Sequence, residues 1–416
     1  MSDLLWPGDE RAGTLFDARS MVEGMVALEA AWSSGLVDHG LAPADAAVTS
    51  AELEALVTAA DLDGLALAAE GGGNPVIPLL HVLRTRLVAA DRTEAARWLH
   101  RGLTSQDVVD TAVVLCCATA LRRLEIEFSS QVDALTALAD AHRGTLMVGR
   151  TLTQHAVPTT FGAKAAGWLA GVVDARATAV FAHSVLPVQL GGAAGTLAGT
   201  VELARLRGVR DPVRTTVALT DEVAAALGLQ ASPPWHTSRF PLTRVGDALA
   251  TATSAFGHIA SDVVTLTRPE IREVGEPTAP GRGGSSTMPQ KQNPVLAVLV
   301  RRAVITNPGL AATLHTAAGL ANDERPDGAW HAEWATLRDL ARRTVVAAAH
   351  TTELVRGLRV DAAGMVARAR AADGLLAERD AVHALLDEPA PTAPGSDDPS
   401  SYLGVIDPIV DRRITP

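Results

Sequence analysis

Gly281-Arg-Gly-Gly-Ser-Ser-Thr-Met-Pro-Gln-Lys-Gln-Asn-Pro294 is the stretch around which the rest of the chain is organised. Glycines at 281, 283 and 284 permit positive φ and close backbone approach, so several N–H groups can be aimed at one anion. Lys291 and Asn293 add a cation and an amide just before Pro294 and the apolar run Val295 to Val300. That order predicts a polar loop feeding a helix whose first turn holds proline. On glycine content alone a solvated linker would read the same way, and the other segments decide between the two.

Outward from this loop the apolar residues repeat with helical spacing. Leu124, Phe128, Val132, Leu135 and Ala139 lie four, four, three and four apart, one stripe of a helix from Ser105 to about His142. Further stripes run from Pro158 to about Val185, from Arg244 through Val263 to Leu266, from Val295 to Leu320 and from Ala329 to Arg356. Shorter helices are expected over Phe16 to Gly35 and Pro43 to Ala59. Aromatics are only 3% and hydrophobic residues 47%, which suits closely spaced helices filled by small side chains. The pattern predicts an all-α protein built on a long-helix bundle. Three parts are expected: an N-terminal helical domain (1–104), the bundle with its loops (105–357) and a short C-terminal domain (358–416), with Glu388 to Ser401 a Pro/Asp/Ser-rich loop.

The 36 Lys+Arg against 47 Asp+Glu leave a formal charge of −11, which argues against nucleic acid or an anionic membrane as the main partner. The first residues are polar and acidic, and no run is read as the roughly 18 apolar residues a span requires, so a cytoplasmic protein is expected. Cys116 and Cys117 are neighbours in an apolar helical pattern and read as small hydrophobes rather than metal ligands.

Donor-rich segments fall between the long helices, where helix termini favour anions. His100-Arg-Gly-Leu-Thr-Ser-Gln-Asp107 puts Thr104, Ser105 and Gln106 ahead of a long helix; Thr104 or Ser105 would serve as an N-cap worth about 1 kcal/mol, or as ligand donors. Gly149-Arg-Thr-Leu-Thr-Gln-His-Ala-Val-Pro158 carries Arg150, Thr151, Gln154 and His155 before a proline read as a helix start. Gln189 sits in the glycine turn Leu186 to Gly195, while Arg239 and Arg325 add cations, each facing either a site or solvent.

Thr104-Ser-Gln-Asp107, Gly149-Arg-Thr151 with Gln154, and Gly284-Ser-Ser-Thr-Met-Pro-Gln-Lys-Gln-Asn293 resemble, in order and spacing, the three signature regions of the fumarase/aspartase superfamily. The likeness covers about residues 15 to 370, and Leu186 to Leu197, Gly328 to Trp334 and Tyr402-Leu-Gly404 resemble its lactone-forming branch. The resemblance implies a homotetramer with a 20-helix core, active sites shared between subunits, and a small di- or tricarboxylate substrate. It implies no metal and no organic cofactor. By position, Ser285 would be the acid/base at Cα, with Ser286 and Met288 beside it. Lys291, Asn293 and Arg325 would bind carboxylate. His100, Thr104, Ser105, Gln106, Arg150, Thr151, Gln154, His155 and Arg239 fall at or beside other substrate-contacting positions.

Three departures from the family pattern stand out. Fumarases and the amine-releasing lyases carry histidine after Gly-Arg-Thr, linked in the lyases to protonating the departing group, and here that position is Leu152. Where His-Glu-Arg is usual the chain reads Asp323-Glu-Arg325, and the region after Arg370 is shorter than usual. A positioned general acid contributes about 10²–10⁴-fold, so Leu152 would cripple release of an amine or hydroxide. A carboxylate, with a pKa of about 4, leaves without one. Lactone opening or closure, or loss of nitrite from a nitrosuccinate, therefore fits; adenylosuccinate cleavage fits less well, and an inactive structural homologue is the reading outside catalysis.

Overall fold

The computed structural model describes residues 3–386 and 395–414, and the predicted loop from Glu388 lies partly outside them. Among the described residues helices dominate. The five long ones span Ser105–Ala141, Phe161–Ser184, Phe240–Leu266, Val295–Gly319 and Gly328–Arg356, each within a few residues of the span that its apolar stripe predicts. The first shorter helix is Ala18–Asp38, opened by Asp17, whose side chain accepts from Ser20 N.

Local chemistry overrides the stripe in two places. The helix expected over Pro43 to Ala59 breaks into a 3₁₀ turn, Ala44–Ala46, and a short helix, Ser50–Ala55. Ala47 is extended and Thr49 caps the second piece by accepting from Glu52 N, so the chain restarts rather than continues. Pro158 does not begin a helix. It lies in strand β2 (Gln154–Thr160), which pairs antiparallel with β1 (Leu146–Thr151), and the helix begins at Phe161. A second pair, β3 (Val274–Gly275) with β4 (Arg359–Val360), is minimal.

The expectation that nothing is long and apolar enough to cross a membrane is also corrected. Val295–Gly319, with 25 residues, is long and apolar enough to cross a membrane by length and composition. Arg301, Arg302 and Asn307 lie within it, and a helix that packs against others in a multi-helix protein passes the same test.

Contacts divide the chain into two compact units, each made of three stretches. The first comprises Met1–Arg123, Ala179–Leu249 and Asn307–Val345. Its interior holds Trp32, whose Nε1 donates to Arg101 O at 2.6 Å, with Leu28, Leu36, Leu53 and Leu79. The second comprises Leu124–Thr178, Ala250–Thr306 and Val346–Pro416. There Phe128 meets Phe256 at 5.6 Å between centroids, Phe161 lies edge-on to Trp168, and Leu146 and Val148 of β1 pack with Ala369 and Leu375.

Candidate active site

In the second unit the β1/β2 hairpin displays the Gly-Arg-Thr segment. Thr151 pairs with Gln154, leaving Leu152 and Thr153 as a two-residue loop with φ of 49° and 73°. Positive φ at both central residues is the type I′ geometry that matches strand twist, and it is usually filled by Asn-Gly. Leucine and threonine held there store strain, which concentrates at sites of function. Leu152 is 95% exposed at the tip. Just below, the register slips between Val148 and Arg150, and a Cβ on Gly149 would lie 2.6 Å from Val157 O. Arg150 forks onto the fully buried Glu273, Nη1 to Oε2 at 3.0 Å and Nη2 to Oε1 at 2.8 Å, so its guanidinium braces the hairpin. Thr151, Gln154 and His155 are exposed; Thr151 and His155 line a cleft of about 1010 Å³ with Lys164 and Arg268.

Arg282, Met288 and residues 290–294 around the serine loop of the same unit line a different cleft, of about 1020 Å³, while Ser285 and Ser286 stand outside its lining. Arg268, Arg272, Arg282, Lys291 and Arg359 face it against Glu276 and Asp361, a cationic excess suited to an anion. Ser285 Oγ accepts from Met288 N at 3.2 Å, while Ser286, Met288 and Lys291 are exposed. Asn293 turns its amide to Gly283 O at 3.0 Å. Glu276 accepts from Leu296 N at 3.0 Å and Ala297 N at 2.7 Å, capping the following helix, and burial pushes its carboxyl above the usual range. The second and third signature segments thus line separate clefts, with Arg268 common to both.

In the first unit Thr104 stands just before the Ser105 helix, its Oγ1 accepting from Arg325 Nη2 and its N–H donating to Asp107 at 3.0 Å. Asp107 is wholly buried and also accepts from Gln189 Nε2, Gly191 N and Gly192 N, with His236 Nε2 at 3.2 Å. One carboxylate therefore ties the first signature segment to the glycine turn and to the Trp235 segment. His100, held at φ 68°, meets the buried Glu29 through Nδ1 at 2.6 Å. Ser105 is half-buried as the first helical residue.

Gln106 and Arg239, predicted to meet substrate, are committed to protein partners, and so is Gln189 of the glycine turn. Gln106 is buried, its Nε2 donating to Asp110 at 3.1 Å and to His236 O at 2.9 Å. Gln189 is equally enclosed, its Oε1 accepting from Trp235 N. Arg239 faces neither a site nor solvent. It lies between Asp110 (Nη1 to Oδ2, 2.7 Å) and Glu333 (Nη2 to Oε2, 2.6 Å) and over the Trp235 ring at 4.8 Å. Burial alone would lower its pKa, but the charges of and bonds to those carboxylates raise it; burial pushes Glu333 up against the opposing pull of Arg239. The residues not anticipated are the acidic partners Asp107, Asp110, Glu273, Glu276 and Glu333. Asp107 alone had a local signal, a carboxylate three residues after a threonine at a helix start.

A family profile described as "Lyase" matches residues 22–306. The nitrosuccinate lyase of Streptomyces davaonensis is 48% identical over 289 residues, which are 70% of this chain and 60% of that protein. The 3-carboxy-cis,cis-muconate cycloisomerase of Bradyrhizobium diazoefficiens is 38% identical over 362 residues, 86% of this chain and 77% of its own. The crystal structure of 3-carboxy-cis,cis-muconate lactonizing enzyme from Pseudomonas putida superposes with a TM-score of 0.84 at 33% identity, covering 97% of this chain and 96% of that one. Three signature segments, a long-helix fold and these likenesses together make the chain a member of the lyase family of the fumarase/aspartase superfamily.

Proposed function

We propose that the protein is a cycloisomerase interconverting 3-carboxy-cis,cis-muconate and a carboxymuconolactone, a step in aromatic-compound breakdown through protocatechuate. The observation that carries it is Leu152, apolar and exposed at the tip of a strained hairpin where amine- and water-releasing relatives place histidine. The substrate's carboxylate oxygen bonds to the far carbon of the adjacent double bond. The electron pair moves onto the acceptor carboxylate, and Ser285 supplies the proton to Cα. In reverse Ser285 removes that proton and the carboxylate departs as the anion. Lys291 and the loop's N–H groups stabilise the developing charge, the term expected to be largest. Three substrate carboxylates suit the cationic cleft beside Lys291.

The active form is a homotetramer with a 20-helix core and shared sites. Exposed Val173 and Val180 lie seven apart on one helix, and exposed Val298 and Ile305 seven apart on another, giving each an apolar face for another copy. The division of signature segments between separate clefts supports a site completed by a second subunit. A second reading, elimination of nitrite from nitrosuccinate, is favoured by the 48% identity to the Streptomyces enzyme, and nitrite also leaves unprotonated. Incubation with each substrate tests the choice: loss of diene absorbance supports the cycloisomerase, release of nitrite the lyase. Activity toward neither, with correct folding, leaves the inactive homologue. Ser285→Ala should lose at least 10²-fold in kcat with unchanged folding; near-normal turnover would remove Ser285 from the mechanism.

A further inference from the structure

The serine loop stands on a neck that is stitched at both ends. Asn293 N and Nδ2 both donate to Gly283 O, at 2.8 and 3.0 Å, closing a ring around residues 284–292. Gly283 is buried at φ 73°, and a Cβ there would sit 2.8 Å from Asn293 O, so the two sides touch backbone to backbone. On the incoming side Arg282 Nη2 pairs with Glu353 Oε1 at 2.6 Å. On the outgoing side Glu276 holds Leu296 N and Ala297 N. Above the neck the arm is exposed except for half-buried Ser285, and it is held by local turns, Met288 N to Ser285 Oγ at 3.2 Å and Lys291 N to Met288 O at 3.0 Å.

We propose that Asn293 is a positioning residue: its amide locks the neck to Gly283 and so aims the arm carrying Ser285, with Arg282–Glu353 and Glu276 as the two tethers. This departs from the carboxylate-binding role that the family resemblance implies for Asn293, and it rests on the reading of Ser285 as the proton-transferring group. The two roles separate in kinetics. A ligand contact made equally in ground and transition states appears in KM, whereas a misaimed proton donor appears in kcat.

The test is Asn293→Asp in the full-length enzyme. Aspartate is isosteric but replaces a donor with an acceptor facing Gly283 O, so the side-chain bond is lost and the carbonyl is repelled. The expected result is a fall in kcat of at least tenfold with KM within threefold. Trypsin cleavage after exposed Lys291 should accelerate at least tenfold, with the melting temperature of the whole protein unchanged. Glu353→Gln, which weakens the other tether, should move cleavage in the same direction. A tenfold rise in KM with unchanged kcat and wild-type cleavage at Lys291 would overturn the proposal and return Asn293 to the ligand set. If the wild type turns over neither substrate, the functional reading fails, and the cleavage rates still decide the neck.

Discussion

Replacing Arg239 by methionine removes the one cation from a closed cluster of two carboxylates. Asp110 keeps two donors, Trp330 Nε1 at 2.8 Å and Gln106 Nε2 at 3.1 Å, whereas Glu333 receives its side-chain hydrogen bonds from Arg239. The loss therefore concentrates on Glu333, 1% exposed. Breaking a buried ion pair by deleting one partner costs about 3–5 kcal/mol, because the other charge is left in a low-dielectric interior. The same argument fixes the pH dependence. Glu333 already titrates above its ordinary value because burial disfavours its charge, and losing Arg239 removes the opposing pull. Its folded pKa then lies further above the unfolded one, about 4.3, so the folded state holds its proton more tightly. Stability is lost as pH rises through that window, and the deficit is larger at pH 8 than at pH 5. Urea unfolding followed by tryptophan fluorescence reads this directly, since Trp235 stacks on Arg239 and Trp330 bonds Asp110. The double variant Arg239→Met with Glu333→Leu should recover most of the loss. A deficit below about 1 kcal/mol, or one equal at both pH values, would refute the electrostatic account.

Other outcomes follow from features already described. Exchanging the hairpin tip, Leu152→Asn with Thr153→Gly, gives both positive-φ positions residues that accept them, and thermal unfolding should show a gain of about 0.5–1 kcal/mol. Burial pushes the Cys116 thiol up to about 12 and that of Cys117 higher. Neither should react with a thiol reagent at pH 8 in the native protein, and both should react once urea unfolds it.

The long helices were legible because a stripe such as Leu124, Phe128, Val132, Leu135 and Ala139 states its own geometry, three and four residues at a time. The hairpin was not, because Leu146, Met147 and Val148 are all buried and break the alternation of a half-exposed strand, while Leu-Thr at the turn lacks the glycine that announces type I′. The site was half legible. Signature segments identify themselves by local spelling, but the partners that commit Arg150 and Arg239 lie 123, 129 and 94 residues away, and no local pattern links them. Arginine in a donor-rich segment reads alike whether it awaits a substrate or braces a fold.

Gly283 and Gly284 are adjacent and alike in sequence, yet they face different fates under random mutation. Every missense change of a glycine codon adds a Cβ. At 283 that atom would collide with Asn293 O, at a φ of 73° that side chains resist. At 284 nothing lies within 4 Å and no such φ holds. A library of codon changes under selection should deplete the first position and tolerate small residues at the second, so two neighbouring glycines record separately what the neck demands and what the arm permits.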